Sequence, residues 1–406
     1  MTQIAVLGYG TVGSGVVEVI KMNHGPLTQK VPGGMHVKYV LDLRDFPGDP
    51  VEEILVHDFD TILNDEEVKI VVEVMGGLEP AYTFVKQSLL KGKSVCTSNK
   101  ELVARYGAEL LSIAASHRVN FLFEASCGGG IPIIRTLNTS LAGENIEEIS
   151  GILNGTTNYI LTKMEKEQWD FDTALKSAQE NGFAERNPEA DIEGYDACRK
   201  IAILSSLAFG KSVDFEDIYT EGIRKITVRD LQNADRLGYR VKLLASCEKK
   251  EDQIFALVAP MLIGKEHPLC FVNGVFNAVF VRGNTLGSTM YYGQGAGKLP
   301  TASAVVSDIA DACRNMDRTL PVFWSEEKLS LTGIENAERR FYVRMGGDQK
   351  DHEEQIRTLF GSGAVFGKKE PGDEDFCFIT EKMSEKAFRE AYGKLNGALC
   401  RIRVSE

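Results

Sequence analysis

Hydrophobic and polar positions fall in blocks along this chain, and the blocks change character twice. From Thr2 to about Leu137, short apolar runs recur at Ile4 to Leu7, His36 to Leu41, Ile70 to Met75, Ser94 to Thr97 and Asn120 to Glu124, with helical patterns between them. That alternation predicts a doubly wound parallel sheet. Met22 to Gly34, with Gly25-Pro26, Pro32 and Gly33-Gly34, reads as a loop between the first helix and the second strand. From about Ala142 to Leu320 the pattern is mixed, with strand-like runs at Glu147 to Leu153, Gln253 to Leu262 and Ala278 to Arg282. Helical runs at Tyr159 to Glu167, Phe171 to Asn181 and Asp196 to Phe209 make this an α+β region. The polar stretch Ser325 to Arg339 reads as a linker. Beyond it the order is strand Phe341 to Met345, helix Asp351 to Leu359, two strands around Glu370 to Asp375, helix Glu385 to Leu395 and strand Leu399 to Val404. A β-α-β-β-α-β order predicts a ferredoxin-like closing unit.

The fold class expected is therefore α/β, with three bodies at 1–137, 138–320 and 338–406. A chain of 406 residues with 43% apolar content fits several cores. Its 46 basic and 58 acidic residues give a net charge of −12, which argues against nucleic acid or an anionic membrane as partner. None of the eight cysteines forms a C-x-x-C pair, so neither a zinc site nor a disulfide framework is expected. No targeting segment or membrane-length apolar run is present, and a cytoplasmic protein is the expectation.

The first apolar run ends at Gly8-Tyr9-Gly10-Thr11-Val12-Gly13, a G-x-G-x-x-G turn between strand and helix. There Gly8 permits the turn, Gly10 admits a pyrophosphate and Gly13 lets helix and strand approach, which makes 1–137 a dinucleotide-binding domain. After the second strand, Asp42 would accept the ribose hydroxyls of NAD, whereas Arg44 would pair with the extra phosphate of NADP. Alternation turns Asp42 toward the sheet and leaves Arg44 to the ribose, which leans to NADP. Gly76 and Gly77 leave room for a flat nicotinamide, and Thr97-Ser98-Asn99-Lys100 follows the next strand, with Asn99 positioned to cap a helix. Glu124 with Gly128-Gly129-Gly130 suits a weak monovalent cation held largely by carbonyls. Gly151 to Asn158 ends a strand at a helix start, and Asp196 and Lys200 share a helix face four residues apart. A carboxylate beside that ammonium can hold its charge and aim it at a developing alkoxide.

Together, the stretches GYGTVG, TSNKELVA, EASCGGGIPII, GILNGTTNYIL, NGFAERNPEADIEGYDACRK and GQGAGKLPTASAVVSD resemble homoserine dehydrogenases over residues 1 to about 320. The closing unit resembles the ACT regulatory domain of many bacterial members. The resemblance implies NAD(P)H-dependent reduction of L-aspartate 4-semialdehyde to L-homoserine. It makes Lys200 the proton donor, Asp196 part of the substrate network, and Lys100 a neighbour of nicotinamide and substrate. Glu185, Thr157 and Asp191 fall in the substrate region. Gly8, Gly10, Thr11, Val12, Gly13, Arg44, Gly76, Gly77, Ser98, Lys100, Gly182 and Gly297 fall to the cofactor. Glu124, Cys127, Gly129 and Ile131 would form a site for a monovalent cation such as Na+. The family pattern is broken at Asn187, where an acid is usual, at Phe183, where tyrosine is common, and at Cys127, where an aliphatic residue is usual. A small-molecule substrate, an amino-acid effector such as threonine, and assembly as a dimer or tetramer are implied. Two competing expectations are a semialdehyde-oxidising dehydrogenase with Cys127 as nucleophile and a non-catalytic dinucleotide or amino-acid sensor.

Overall fold

The structure, a computed structural model, describes residues 1–316, 318–370 and 372–405. The chain divides into two compact units. The first comprises residues 1–145, 202–215 and 291–329; the second comprises 146–201, 216–290 and 330–406.

In the first unit the alternating pattern becomes strands β1 (Thr2–Leu7), β2 (Met35–Leu41), β3 (Leu55–Val56), β4 (Val68–Glu73), β5 (Ser94–Thr97) and β6 (Phe121–Leu122). They lie in the order β3-β2-β1-β4-β5-β6, with every pair parallel. The chain reverses direction across the sheet between β1 and β4, where ligand crevices of open α/β sheets form. Helices α1 (Thr11–Met22), α2 (His24–Lys30), α3 (Phe59–Leu63), α4 (Ala81–Leu90) and α5 (Lys100–Ser116) connect the strands. The expected loop at 22–34 contains α2. Gly25-Pro26 does not prevent it, because Pro26 lies in the first turn, where a missing N–H costs nothing.

The nucleotide-binding body is not confined to 1–137. Helix Lys298–Arg314 packs on α1, and a Cβ on Gly15 would stand 3.0 Å from the Ala302 Cβ. Val16, Val19 and Ile20 of α1 share one core with Val305, Val306 and Ile309, so α1 buries its apolar stripe against a helix that follows it by nearly 300 residues. The expected linker also carries structure. Ser325–Lys328 pairs with Lys211–Ser212, and Gly107 leaves room for the Trp324 ring, 2.7 Å from where a Cβ would lie.

In the second unit, β7 (Ile146–Ile152) pairs antiparallel with Tyr239–Lys250 and with Phe276–Gly283. Tyr239–Lys250 continues into a long hairpin with Gln253–Gly264. Helices α6 (Gly155–Glu167), α7 (Phe171–Glu180), α8 (Glu189–Ile192) and α9 (Tyr195–Phe209) follow β7 in sequence.

The closing segment keeps its expected element order, with the two middle strands at Val365–Phe366 and Asp375–Ile379 rather than around 370–375. Its strands lie in the order Ala398–Val404, Phe341–Gly346, Asp375–Ile379, Val365–Phe366, each pair antiparallel. It does not separate as a third body. Ala398–Val404 pairs parallel with Gln253–Gly264, so the closing sheet extends the sheet that contains β7. A strand edge left bare by the hairpin is thereby covered.

Candidate active site

A buried polar network lies where β7 runs into α6. Asn154 caps α6 by accepting from Thr157 N–H at 2.8 Å, so the cap alone accounts for its presence there. Its amide does more. Asn154 Nδ2 donates to Asp191 Oδ1 at 2.7 Å and to Asp196 Oδ2 at 2.8 Å. Lys200 Nζ donates to the same Asp196 oxygen at 2.8 Å and to the Leu153 carbonyl at 2.8 Å. Asn154, Asp196 and Lys200 are each at most 8% exposed, so the ammonium and carboxylate face one another with little water between them. The i,i+4 spacing on α9 placed the ion pair, and the end of β7 supplies the rest.

In the first unit, Gly8 has φ +97 and lies 3.1 Å, measured from an added Cβ, from the Met75 backbone. A Cβ on Gly13 would stand 1.9 Å from the Gly8 carbonyl oxygen, so only glycine allows α1 to start this close to β1. At Gly10 nothing lies within 4 Å, so a pyrophosphate has the approach that the turn requires. Beside the turn is a cavity of about 490 Å³ lined by Gly8, Gly10, Asp42, Arg44, Phe59 and Met75. Asp42 accepts from Tyr9 N–H at 2.8 Å and from Arg44 Nε and Nη2 at 3.0 Å each, and the Arg44 guanidinium holds its carboxyl far below the ordinary carboxylate range. Both carboxylate oxygens are thus engaged within the loop, while the Arg44 side chain stays 63% exposed at the cavity.

The loops after β4 and β5 share an anchor. Glu73, wholly buried, accepts from Thr97 Oγ1 at 2.6 Å and from Met75 N–H at 2.9 Å, and burial pushes its carboxyl above the usual value. Asn99 donates to the Gly77 carbonyl at 2.6 Å and caps α5 through Leu102 N–H at 3.1 Å. Gly76 and Gly77 have φ +81 and +74 with open space beside them, and Ser98 and Lys100 flank the cap half-buried. The dinucleotide therefore fits the residues present: bare turn, open glycines, cavity and guanidinium.

A homoserine dehydrogenase model matches residues 132–310, and the NAD-binding domain model of homoserine dehydrogenases matches 8–124. The homoserine dehydrogenase of Synechocystis is 48% identical over 76% of this chain and 72% of its own length. The crystal structure of a homoserine dehydrogenase from Thiobacillus denitrificans superposes with a TM-score of 0.91 at 36% identity, covering 100% of this chain and 98% of that one. The chain belongs to the homoserine dehydrogenase family. It is an oxidoreductase with a nicotinamide-dinucleotide-binding domain. A hyperthermophilic archaeal homoserine dehydrogenase mutant solved in complex with NADPH is similar at a TM-score of 0.67 and 31% identity, over 79% of this chain and 99% of that one.

Within this homoserine dehydrogenase framework, several expected site residues have other duties. Thr157 is 1% exposed, and its hydroxyl donates to Asn154 O at 3.1 Å, which supports the cap. Glu185 lies exposed on the turn after α7, where its carbonyl accepts from Gln179 Nε2 at 3.1 Å, and no hydrogen bond among the described residues ties its carboxylate to Lys200. Gly182, with φ +72, and Gly297, with φ +118, occupy exposed turns, the second just before helix Lys298–Arg314.

The glycine run at 128–130 has a cause within the protein. A Cβ on Gly129 would stand 2.6 Å from the Gly295 carbonyl oxygen, and one on Gly130 would stand 3.3 Å from the Pro300 ring. Bare backbone is therefore needed for chain to pass chain. Both Glu124 carboxylate oxygens accept backbone N–H groups, from Ile134 and Arg135 at 2.8 Å each. Among the described residues no three acidic, histidine or cysteine side chains gather as metal ligands. Each oxygen of the Glu124 side chain is thus held by one backbone N–H. The Cys127 thiol, 1% exposed, is no accessible nucleophile.

Asn154, Glu73 and Asp308 were not singled out from the sequence. Asp308 is 3% exposed, accepts from Glu124 N–H at 2.8 Å and from Arg135 Nη2 at 3.0 Å, and burial raises its carboxyl well above the ordinary value. An Asn immediately before Gly-Thr-Thr at a strand end is the one local signal that pointed to any of the three.

Proposed function

We propose that this chain reduces L-aspartate 4-semialdehyde to L-homoserine with NADPH, and that Lys200 gives the proton. The network of Lys200, Asp196, Asn154 and Asp191 carries this reading. When bound, the nicotinamide supplies a hydride to the aldehyde carbon. The turn Gly8 to Gly13 receives the pyrophosphate, and Arg44 takes the 2′-phosphate through guanidinium donors aimed by Asp42. Gly76, Gly77, Ser98 and Lys100 bound the nicotinamide side, with Lys100 near the carbonyl. Lys200 passes a proton from Nζ to the alkoxide oxygen, and Asp196 orients the amine. Glu185 and Asp191 offer carboxylates to the substrate ammonium.

In the same reading the enzyme works in a reducing, cytoplasmic setting, since no two of its eight cysteines are joined. Among the described residues no helix is long and apolar enough to cross a membrane. It assembles as a dimer or tetramer, and its closing β-α-β-β-α-β unit, of ACT type, binds an amino-acid effector, with threonine as the first to try. A monovalent cation would rest on Glu124 and the backbone of Cys127, Gly129 and Ile131. Oxidation of NADPH followed at 340 nm with the semialdehyde tests the reaction. Absence of turnover, or full turnover in Lys200→Ala, overturns the reading.

A further inference from the structure

Arg403, on the last strand, is 2% exposed. Its Nε and Nη2 donate to the two oxygens of Glu385 at 2.6 and 2.8 Å, and Nη1 donates to Glu221 Oε2 at 2.8 Å. The same Glu221 oxygen receives the Tyr219 hydroxyl at 2.9 Å, and the Arg401 guanidinium lies 3.5 Å away. Although burial alone would raise the Glu221 carboxyl, these guanidiniums bring it below its ordinary value. A buried guanidinium tolerates no drift of its partners, so Glu221 is pinned by the closing segment.

The position of Glu221 in the chain gives that anchor its consequence. A Cβ on the next residue, Gly222, would stand 2.2 Å from the Ile192 carbonyl oxygen. Ile223 N–H donates to that carbonyl at 2.9 Å, and Arg224 Nε donates to Glu193 at 2.9 Å. A Cβ on Gly194, which has φ +86, would stand 3.2 Å from the Thr220 side chain. Residues 219–224 are thus wedged onto the turn Ile192 to Gly194. That turn joins Asp191 to the start of α9, and Asp191 and Asp196 are the two carboxylates bridged by Asn154.

We propose that Arg403, acting through Glu221, is a positioning residue for the Lys200 network, so that the last strand of the closing segment bears on the geometry of that network. The proposal rests on the reading of Lys200 as proton donor for its kinetic arm only. A shift of the α8–α9 turn would move Asp191 and Asp196 together and loosen the amine between Asp196 and the Leu153 carbonyl, and misplacements near 1 Å are felt strongly in turnover.

The test uses the full chain, with Glu221→Gln and Tyr219→Phe, well below the melting temperature of each. Steady-state kinetics are measured, together with the rate at which acetic anhydride labels Lys200, located by peptide mass spectrometry. Glu221→Gln should lower kcat about tenfold or more with the KM for NADPH changed by less than about twofold, and should speed labelling of Lys200. Tyr219→Phe, which keeps every charge, should move both readouts the same way by about twofold, and it carries the test if Glu221→Gln does not fold. Arg403→Lys should recover part of the kcat that Arg403→Leu loses. Variants that melt earlier yet keep wild-type kcat and wild-type Lys200 labelling would overturn the proposal. An active Lys200→Ala would instead remove the proton-donor role, leaving the labelling rates to decide the positioning role.

Discussion

Lys200 Nζ and Asp196 Oδ2 meet at 2.8 Å with side-chain exposures of 10% and 5%, one helical turn apart on α9. On a water-covered helix such a pair is worth a few tenths of a kcal/mol, so its burial is better explained by chemistry than by stability. Lys200→Ala should bind NADPH with unchanged affinity, measured by fluorescence titration, while kcat falls by about 10²–10⁴-fold. Asp196→Asn should keep the fold and lose about tenfold or more in kcat, because the amide gives up the charged partner that orients the amine.

Cofactor choice should depend on the Arg44 guanidinium. Asp42 has both oxygens committed to Tyr9 and Arg44, and in the proposed reading the exposed arginine is the group that meets the ribose. Arg44→Ala should raise the KM for NADPH about tenfold or more while changing that for NADH little. Equal losses with both cofactors in initial-rate assays would remove Arg44 from phosphate recognition.

Glu73 should matter to both stability and cofactor affinity. Glu73→Ala strips Thr97 and Met75 of their shared acceptor in a wholly buried place. A loss of about 2–3 kcal/mol in urea unfolding is expected, along with weaker NADPH binding, since the loops after β4 and β5 lose their common tie. Unchanged binding in a folded variant would confine Glu73 to stability.

Lys242 should give the protein an alkaline pH dependence. It is 1% exposed in the central sheet, with Val272 O at 2.6 Å and the Asn158 and Asn273 side-chain oxygens at 3.1 Å, all of them neutral. Burial brings its amine down to about 8. Because the folded value lies below the unfolded one, the unfolded chain binds the extra proton, and stability rises as pH goes from about 8 to 10.5. The contribution is worth about 3 kcal/mol at most. Subtracting the urea stabilities of Lys242→Met from those of the wild type across that window should expose the slope; two parallel curves would show that Lys242 does not titrate there.

The parts of the site visible in the sequence were those set by neighbours along the chain. The strand–turn–helix at Gly8 to Gly13, the Asn99 cap and the Asp196–Lys200 spacing are local geometry, and each is found as expected. Asn154 was not singled out in the sequence, because its bridging role depends on Asp191 and Asp196, 37 and 42 residues away. Gly129 looked like a place for an ion because the backbone that crosses it, Gly295, is far along the chain.

The sequence by itself determined the parallel sheet, the dinucleotide turn and the lysine–carboxylate pair, because helical and strand periodicities and glycine conformation act over a few residues. Only the tertiary structure decided that helix Lys298–Arg314 completes the first core, that Glu73 ties two loops together, and that Arg403 reaches Glu221. Those contacts join segments distant in sequence, where a buried charge or a bare backbone takes its meaning from whatever the folded chain brings against it.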